Sequence, residues 1–114
     1  MRIARLLVAT LVLVALTSAP AMAGPVKGCN DYEFCIYDVD NPNPKDMVAR
    51  MKSCTWHDVR GKNLQSYVNN QTRGTRARFY DHTRTILLSY SKPAFSTGTI
   101  SFSVGLNTAY VRPC

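Results

Sequence analysis

A small all-β domain stapled by disulfides is the fold this sequence predicts. Short runs of alternating apolar and polar residues recur along the chain, and clusters of Asn, Pro, Gly and Ser separate them. Four cysteines lie downstream of an N-terminal targeting segment. Alternation at a period of two sends one set of side chains to a core and the other to the surface, as in half-buried strands. Many short strands divided by turn residues, with at most one short helix, indicate a sandwich or a Greek-key domain.

The targeting segment has three parts. Arg2 and Arg5 precede an apolar run from Leu6 to Leu16, and Ala21-Met22-Ala23 is a small-x-small cleavage signature. The run falls short of the ~20 residues that a helix needs to cross a bilayer. No cysteine follows the cleavage signature directly, so a lipid anchor is not expected either. Residues 1–23 are therefore read as a signal peptide and 24–114 as one secreted domain. A domain this small buries only about 60–65% of its unfolded surface and needs covalent help.

Cys29, Cys35, Cys54 and Cys114 supply it. An even number in an exported chain, without zinc-ligand or CxxC spacing, reads as two disulfides. Three pairings are possible. Cys29–Cys35 with Cys54–Cys114 is favoured, because a short loop closes easily and the second bridge would pin the C-terminus. The exported part carries twelve Lys and Arg against seven Asp and Glu, a net charge of +5. That charge favours anionic surfaces at long range without specifying a fold, and a nucleic-acid partner is not expected.

Residues 29–37 read as a first strand, with Phe34 and Ile36 on one face and Cys35 and Tyr37 on the other. Asp38 to Pro44 is a loop of turn formers. Met47, Val48 and Met51 fit a helical stripe capped at Asn43 before Pro44, or a strand leading to Cys54. Trp56 is assigned to the core. Leu64–Val68 and Thr75–Tyr80 are two extended segments joined by a polar turn over Asn69–Gly74. In the second, Ala77 and Phe79 share one face while Arg76, Arg78 and Tyr80 share the other. Thr85–Tyr90 is a further strand. Gly98–Leu106 alternates strictly, with Ile100, Phe102, Val104 and Leu106 directed inward, and predicts another. Ala109–Arg112 closes the domain. A faint parallel links Phe34-Cys35-Ile36-Tyr37-Asp38 with Arg78-Phe79-Tyr80-Asp81.

With the export signal, Cys29, Phe34-Cys35-Ile36-Tyr37, Ser66-Tyr67-Val68-Asn69-Asn70-Gln71-Thr72 and Arg78-Phe79-Tyr80-Asp81 together, the chain resembles the secreted peptidase-inhibitor family typified by the Streptomyces metalloproteinase inhibitor. The resemblance implies a βγ-crystallin-like fold of two Greek keys, with Ser66, Val68, Asn70 and Thr72 forming its most specific element. One departure is that Asp38–Pro44 lacks the glycine that follows the first aromatic strand in such Greek keys.

The resemblance implies a monomeric inhibitor that blocks an extracellular protease through a rigid loop. The candidate protease-facing loops are His82, Thr83, Arg84 and Thr85, and Ser91 to Gly98 with Ser91, Lys92, Pro93, Ala94 and Phe95. No cysteine lies between Cys54 and Cys114 to brace either loop. The alternative is a non-inhibitory binding or antimicrobial module that uses a basic face, Arg73, Arg76, Arg78 and Arg84, on the anionic cell envelope.

Catalysis is not expected. The two histidines, His57 and His82, have aspartates only as chain neighbours (Asp58 and Asp81), which point to opposite faces on a strand. No serine elbow motif or free thiol is present. No metal site or cofactor is expected. Some βγ-crystallin domains bind calcium, but Asn69–Arg73 places Arg73 where a hydroxyl ligand belongs. The Asp38–Asn43 loop lacks an EF-hand's glycine and its closing glutamate. Asn70-Gln71-Thr72 is also an N-glycosylation sequon.

Overall fold

The alternating runs fold into two four-stranded antiparallel sheets. The computed structural model describes residues 23–114, so the predicted signal segment lies outside the described residues except for Ala23. The elements, in order, are β1 (Glu33–Tyr37), a 3-10 turn (Pro44–Asp46), β2 (Met47–Met51), β3 (His57–Asp58), β4 (Ser66–Asn70) and β5 (Arg78–Tyr80). Then come β6 (Leu87–Tyr90), β7 (Ser96–Thr99), helix α1 (Phe102–Asn107) and β8 (Tyr110–Arg112). The ambiguous segment after Asp38 resolves into both alternatives in turn. Asn43 caps the 3-10 turn by accepting from Lys45 N, and the chain then extends as β2.

The first sheet has the order β2-β1-β4-β7 and the second β3-β8-β5-β6. Each sheet takes three strands from one half of the chain and its remaining edge strand from the other half. β4 and β5 belong to different sheets, so the Gln71–Ala77 connection crosses the sandwich; Asn69 and Asn70, expected in the turn, are the last residues of β4, paired with Phe34 and Glu33 of β1. The halves match in detail. In β1·β2 the register runs Ile36↔Ala49 then Tyr37↔Met47, and in β5·β6 it runs Phe79↔Ser89 then Tyr80↔Leu87. Each pair carries a bulge at the same place, which bends and twists the strand. Gln65 N bonds Tyr37 O just as Ala109 N bonds Tyr80 O, and Ile100 N bonds Gln65 O just as Val59 N bonds Ala109 O. The faint parallel in the sequence thus marks two equivalent strands, β1 and β5.

Between the sheets lies an apolar core of Phe34, Ile36, Met51, Val59, Leu64, Tyr67, Ala77, Phe79 and Val111. Phe34 stacks on Tyr67 at 5.3 Å and meets Phe79 edge-on at 6.0 Å, which locks the centres of β1, β4 and β5 together. Cys29, Cys35, Tyr37 and Val68 form a second cluster on the opposite face of the first sheet. The two-faced reading of β1 follows directly from its alternation.

Both disulfides pair as favoured, Cys29 with Cys35 and Cys54 with Cys114. The first is buried beneath the 24–28 leader. The second ties the segment before β3 to the last residue.

The strand predicted over Gly98–Leu106 is not formed. It ends at Thr99, and Phe102–Asn107 is helical. Ser101 caps the helix, its side chain accepting from Val104 N, and Thr108 closes it with its N–H and hydroxyl on Val104 O. β7 pairs only with β4 and must still reach β8 in the other sheet, so the chain has to turn, and the helix makes that crossing. Gly105 permits it, because a Cβ there would stand 2.6 Å from Leu64 O. Phe102 and Leu106, expected inside, are 82% and 68% exposed. Trp56 is likewise not a core residue. It is half-buried on the outer side of the second sheet, edge-on to Tyr80 at 4.8 Å.

Candidate binding surfaces

Strand β4 is buried along all five of its residues although three of them are polar. Burying a polar group is costly unless it is hydrogen-bonded, so each of these side chains is satisfied, and each one holds a loop. Ser66 Oγ donates to Val39 O in the β1–β2 loop. Tyr67 Oη accepts from Lys92 N at 2.8 Å. Asn69 Nδ2 donates to Thr75 O at 2.8 Å, to Lys92 O at 2.9 Å and to Ser91 Oγ at 3.3 Å, while Asn69 Oδ1 accepts from Gln71 Nε2. Asn70 Nδ2 faces the other way and donates to Gly24 O and Cys29 O, both at 3.1 Å. The sequon asparagine is thus 2% exposed with its amide nitrogen engaged, and a glycan there would displace the leader.

The candidate loop from Ser91 to Gly98 is therefore braced by side chains where no cysteine was available. Ser91 N bonds Ala77 O, Ser91 Oγ accepts from Ala77 N, and Ala94 N bonds Thr75 O. Both backbone polar groups of Lys92 point inward. Ala94 is buried, while Lys92, Pro93 and Phe95 are exposed, Phe95 by 48%. At Gly98 the backbone passes against the Tyr67 ring, where any Cβ would overlap it. The second half of the expected loop, Ser96 to Gly98, belongs to strand β7, so the loop proper is Ser91–Phe95, with a fixed backbone and with Lys92, Pro93 and Phe95 directed outward.

The other candidate loop, His82 to Thr85, is the tight turn of the β5–β6 hairpin. Asp81 Oδ1 accepts from Thr83 Oγ1 at 2.6 Å, from Thr83 N at 3.1 Å and from Ile86 N. The Thr83 hydroxyl bond, then the bonds from the Ile86 and Thr83 amides, hold the Asp81 carboxyl below its ordinary range. Arg84 has a positive φ of 61°. Its guanidinium turns back over the Tyr110 ring at 4.2 Å and lies 5.8 Å from Trp56.

That contact belongs to a larger array on the outer face of the second sheet. Arg112 lies 5.3 Å from the Trp56 ring, Arg60 lies 5.3 Å from Tyr110, and Arg78 lies 5.8 Å from Tyr90. Arg60 also grips Asp58 through two nitrogens, and those bonds pull the Asp58 carboxyl down to about 2. Among the described residues the ion pairs are Arg50–Glu33 and Arg60–Asp58, which leaves Arg78, Arg84 and Arg112 without a carboxylate partner. Of the predicted basic face, Arg78 and Arg84 join this array, while Arg73 and Arg76 stay exposed on the β4–β5 connection. Arg60 and Arg112 were not foreseen. They arrive through the β3·β8 and β5·β8 pairings, which sequence proximity does not show.

His57 Nε2 lies 3.0 Å from Ser53 O, and Asp58 turns to Arg60. Asp81 serves its own turn, and His82 is exposed. The cluster Cys29, Glu33 and Cys35 brings together metal-ligating residue types, but both sulfurs are in a disulfide. A hollow of about 590 Å³ opens beside α1, edged by Phe102, Leu106, Ile100 and Leu64, with Asp40 and Lys62 as its charged lining. Comparisons with family models, curated proteins and solved structures return no match for this chain.

Proposed function

We propose that the protein is a secreted inhibitor of an extracellular protease and that it presents the Ser91–Phe95 loop to the enzyme cleft. The observation that carries this reading is the bracing of that loop by Asn69 and Tyr67 of β4. A protease binds substrate as an extended segment. A segment already held in one conformation forgoes the ordering cost that a flexible peptide incurs, and this raises affinity without added contact area. Phe95 and Lys92 are the side chains that would enter enzyme pockets. Two disulfides suit an oxidising, extracellular setting. The interlocked strand order, with each sheet completed by one edge strand from the other half, supports a βγ-crystallin-like pair of Greek keys.

Titration of the secreted domain against a panel of extracellular metallo- and serine proteases tests the proposal. Inhibition of one class, weakened at least tenfold by Asn69→Ala, is the expected result. No inhibition at micromolar concentration across the panel overturns it.

A second reading is favoured by one specific observation, the three guanidiniums that lie over aromatic rings without a carboxylate partner. Such a face, Arg78, Arg84 and Arg112 with Trp56, Tyr90 and Tyr110, suits an anionic cell-envelope polymer. Co-sedimentation with isolated cell wall at low and high salt separates the two readings. Binding that falls with salt and is lost in Arg84→Ala supports the second, and absence of binding at low salt removes it.

A further inference from the structure

We propose that the fold contains a built receptor for the α-ammonium group that cleavage between Ala23 and Gly24 would release, with Asp31 as its carboxylate. Gly24 N lies 3.1 Å from Asp31 Oδ1. At the other end of the same residue, Gly24 O accepts from Asn70 Nδ2 at 3.1 Å, and Asn70 is 2% exposed. The same Nδ2 holds Cys29 O, so one buried amide fixes both ends of the leader. Between them Val26 and Cys29 exchange two backbone hydrogen bonds, Val26 N to Cys29 O at 2.9 Å and Cys29 N to Val26 O at 2.8 Å. Gly24 takes φ +90°, a conformation that favours glycine, and Ala23 before it is exposed. The first residue after the cleavage signature is therefore held at its nitrogen, at its carbonyl and in its backbone angle.

The charge argument is independent of that geometry. Among the described residues the ion pairs are Arg50–Glu33 and Arg60–Asp58, and Asp31 takes part in neither. In the uncut chain Asp31 meets a neutral amide with one hydrogen. Hydrolysis of the Ala23–Gly24 bond adds one water across it. The hydroxyl goes to the Ala23 carbonyl carbon, which leaves as a carboxylate, and the Gly24 nitrogen becomes an amine. With a pKa of about 7.7–8.0 that amine takes up a proton at neutral pH. A hydrogen bond from a neutral amide to the carboxylate is thereby replaced by an ion pair at the same position, which adds the attraction between opposite charges to the bond already made. A cut one residue earlier would move the ammonium about 3.8 Å along the chain and leave an amide opposite Asp31. The receptor thus distinguishes the cleavage register to a single residue. Its reach extends to the braced loop, because Val26 of the leader and Phe95 of the loop line one hollow.

Two measurements test this. The full chain is expressed in a secreting host and the N-terminus of the product is read by intact mass; Gly24 is expected. Thermal melting then compares four proteins: the Gly24-start form, a form retaining Ala23, and Asp31→Asn in each. The extra alanine is expected to lower Tm by about 2–5 °C, the scale of a part-exposed ion pair in a domain of this size. Asp31→Asn should lower the Gly24 form similarly and the Ala23 form much less. Chemical acetylation of Gly24 removes the charge without touching Asp31 and should give the same loss. A product starting at another residue, an Asp31→Asn shift equal in both forms, or no loss on acetylation overturns the proposal.

Discussion

Tyr37 and Tyr80 occupy equivalent positions in the two halves, each directly after the same bulge, yet their surroundings differ. Tyr37 is fully buried, its hydroxyl donating to Lys27 O at 2.8 Å, with the leader and the Cys29–Cys35 bridge closing over it. Burial raises its phenol to about 12. Tyr80 stays half-buried, faces Trp56 and lies in the open arginine–aromatic array. One sheet therefore has its outer face sealed by covalent and backbone ties, while the other leaves its outer face available. Two equivalent halves are thus closed over on one side and expose an arginine–aromatic face on the other.

The strongest way to break this contrast is to cut the tie between the halves. Cys114→Ser opens the long bridge and is expected to cost about 2–5 kcal/mol, against about 2 kcal/mol for Cys29→Ser, whose loop is short. Denaturant titration of both variants measures the difference. Asn69→Ala removes a buried donor shared by two carbonyls and should cost about 1–3 kcal/mol. Limited proteolysis should then cut between Ser91 and Phe95, where the parent resists.

Tyr37→Phe and Tyr80→Phe sharpen the comparison directly. The first leaves Lys27 O without its partner and should cost about 1 kcal/mol, and the second should be nearly neutral. The alkaline limb reports the same asymmetry. Because the folded-state pKa of Tyr37 is raised, its contribution is complete below about 10 and is lost as pH rises towards about 12. Tyrosinate absorbance should show one phenol titrating last, and Tyr37→Phe should abolish that step. The smallest effect belongs to the β5–β6 turn. Asp81 is held low, so its contribution is complete above about 3.9 and fades as pH falls through the lower folded value. The protection of the Thr83 and Ile86 amides against exchange, measured relative to the unfolded chain at each pH, should fall in acid before the rest of the domain responds.

Much of the framework was legible in the sequence. Phe34 and Ile36 against Cys35 and Tyr37 is a local alternation, and local alternation reports which face meets a core. The Cys29–Cys35 loop is also local. What escaped depends on contacts made across the fold. Ile100, Phe102, Val104 and Leu106 have the period of a strand, and only the need to pass from β7 to β8 over Leu64 makes that segment helical. Asn69 and Asn70 read as turn residues because a buried asparagine differs from an exposed one solely in its distant partners. Trp56 reads as core by its apolar ring, but four arginines brought together by strand pairing make an outer aromatic face tolerable in water.

The Cys54–Cys114 bridge spans sixty positions, and the Ser91–Phe95 loop lies inside that span. Hydrolysis of one peptide bond in the loop therefore opens a ring instead of severing a chain. Neither piece departs, because β7 remains bonded to β4 and the C-terminus remains fastened beside β3. The new amine and carboxylate stay side by side at high effective concentration, the condition under which resealing competes with loss. A molecule so closed can be nicked and still hold its shape.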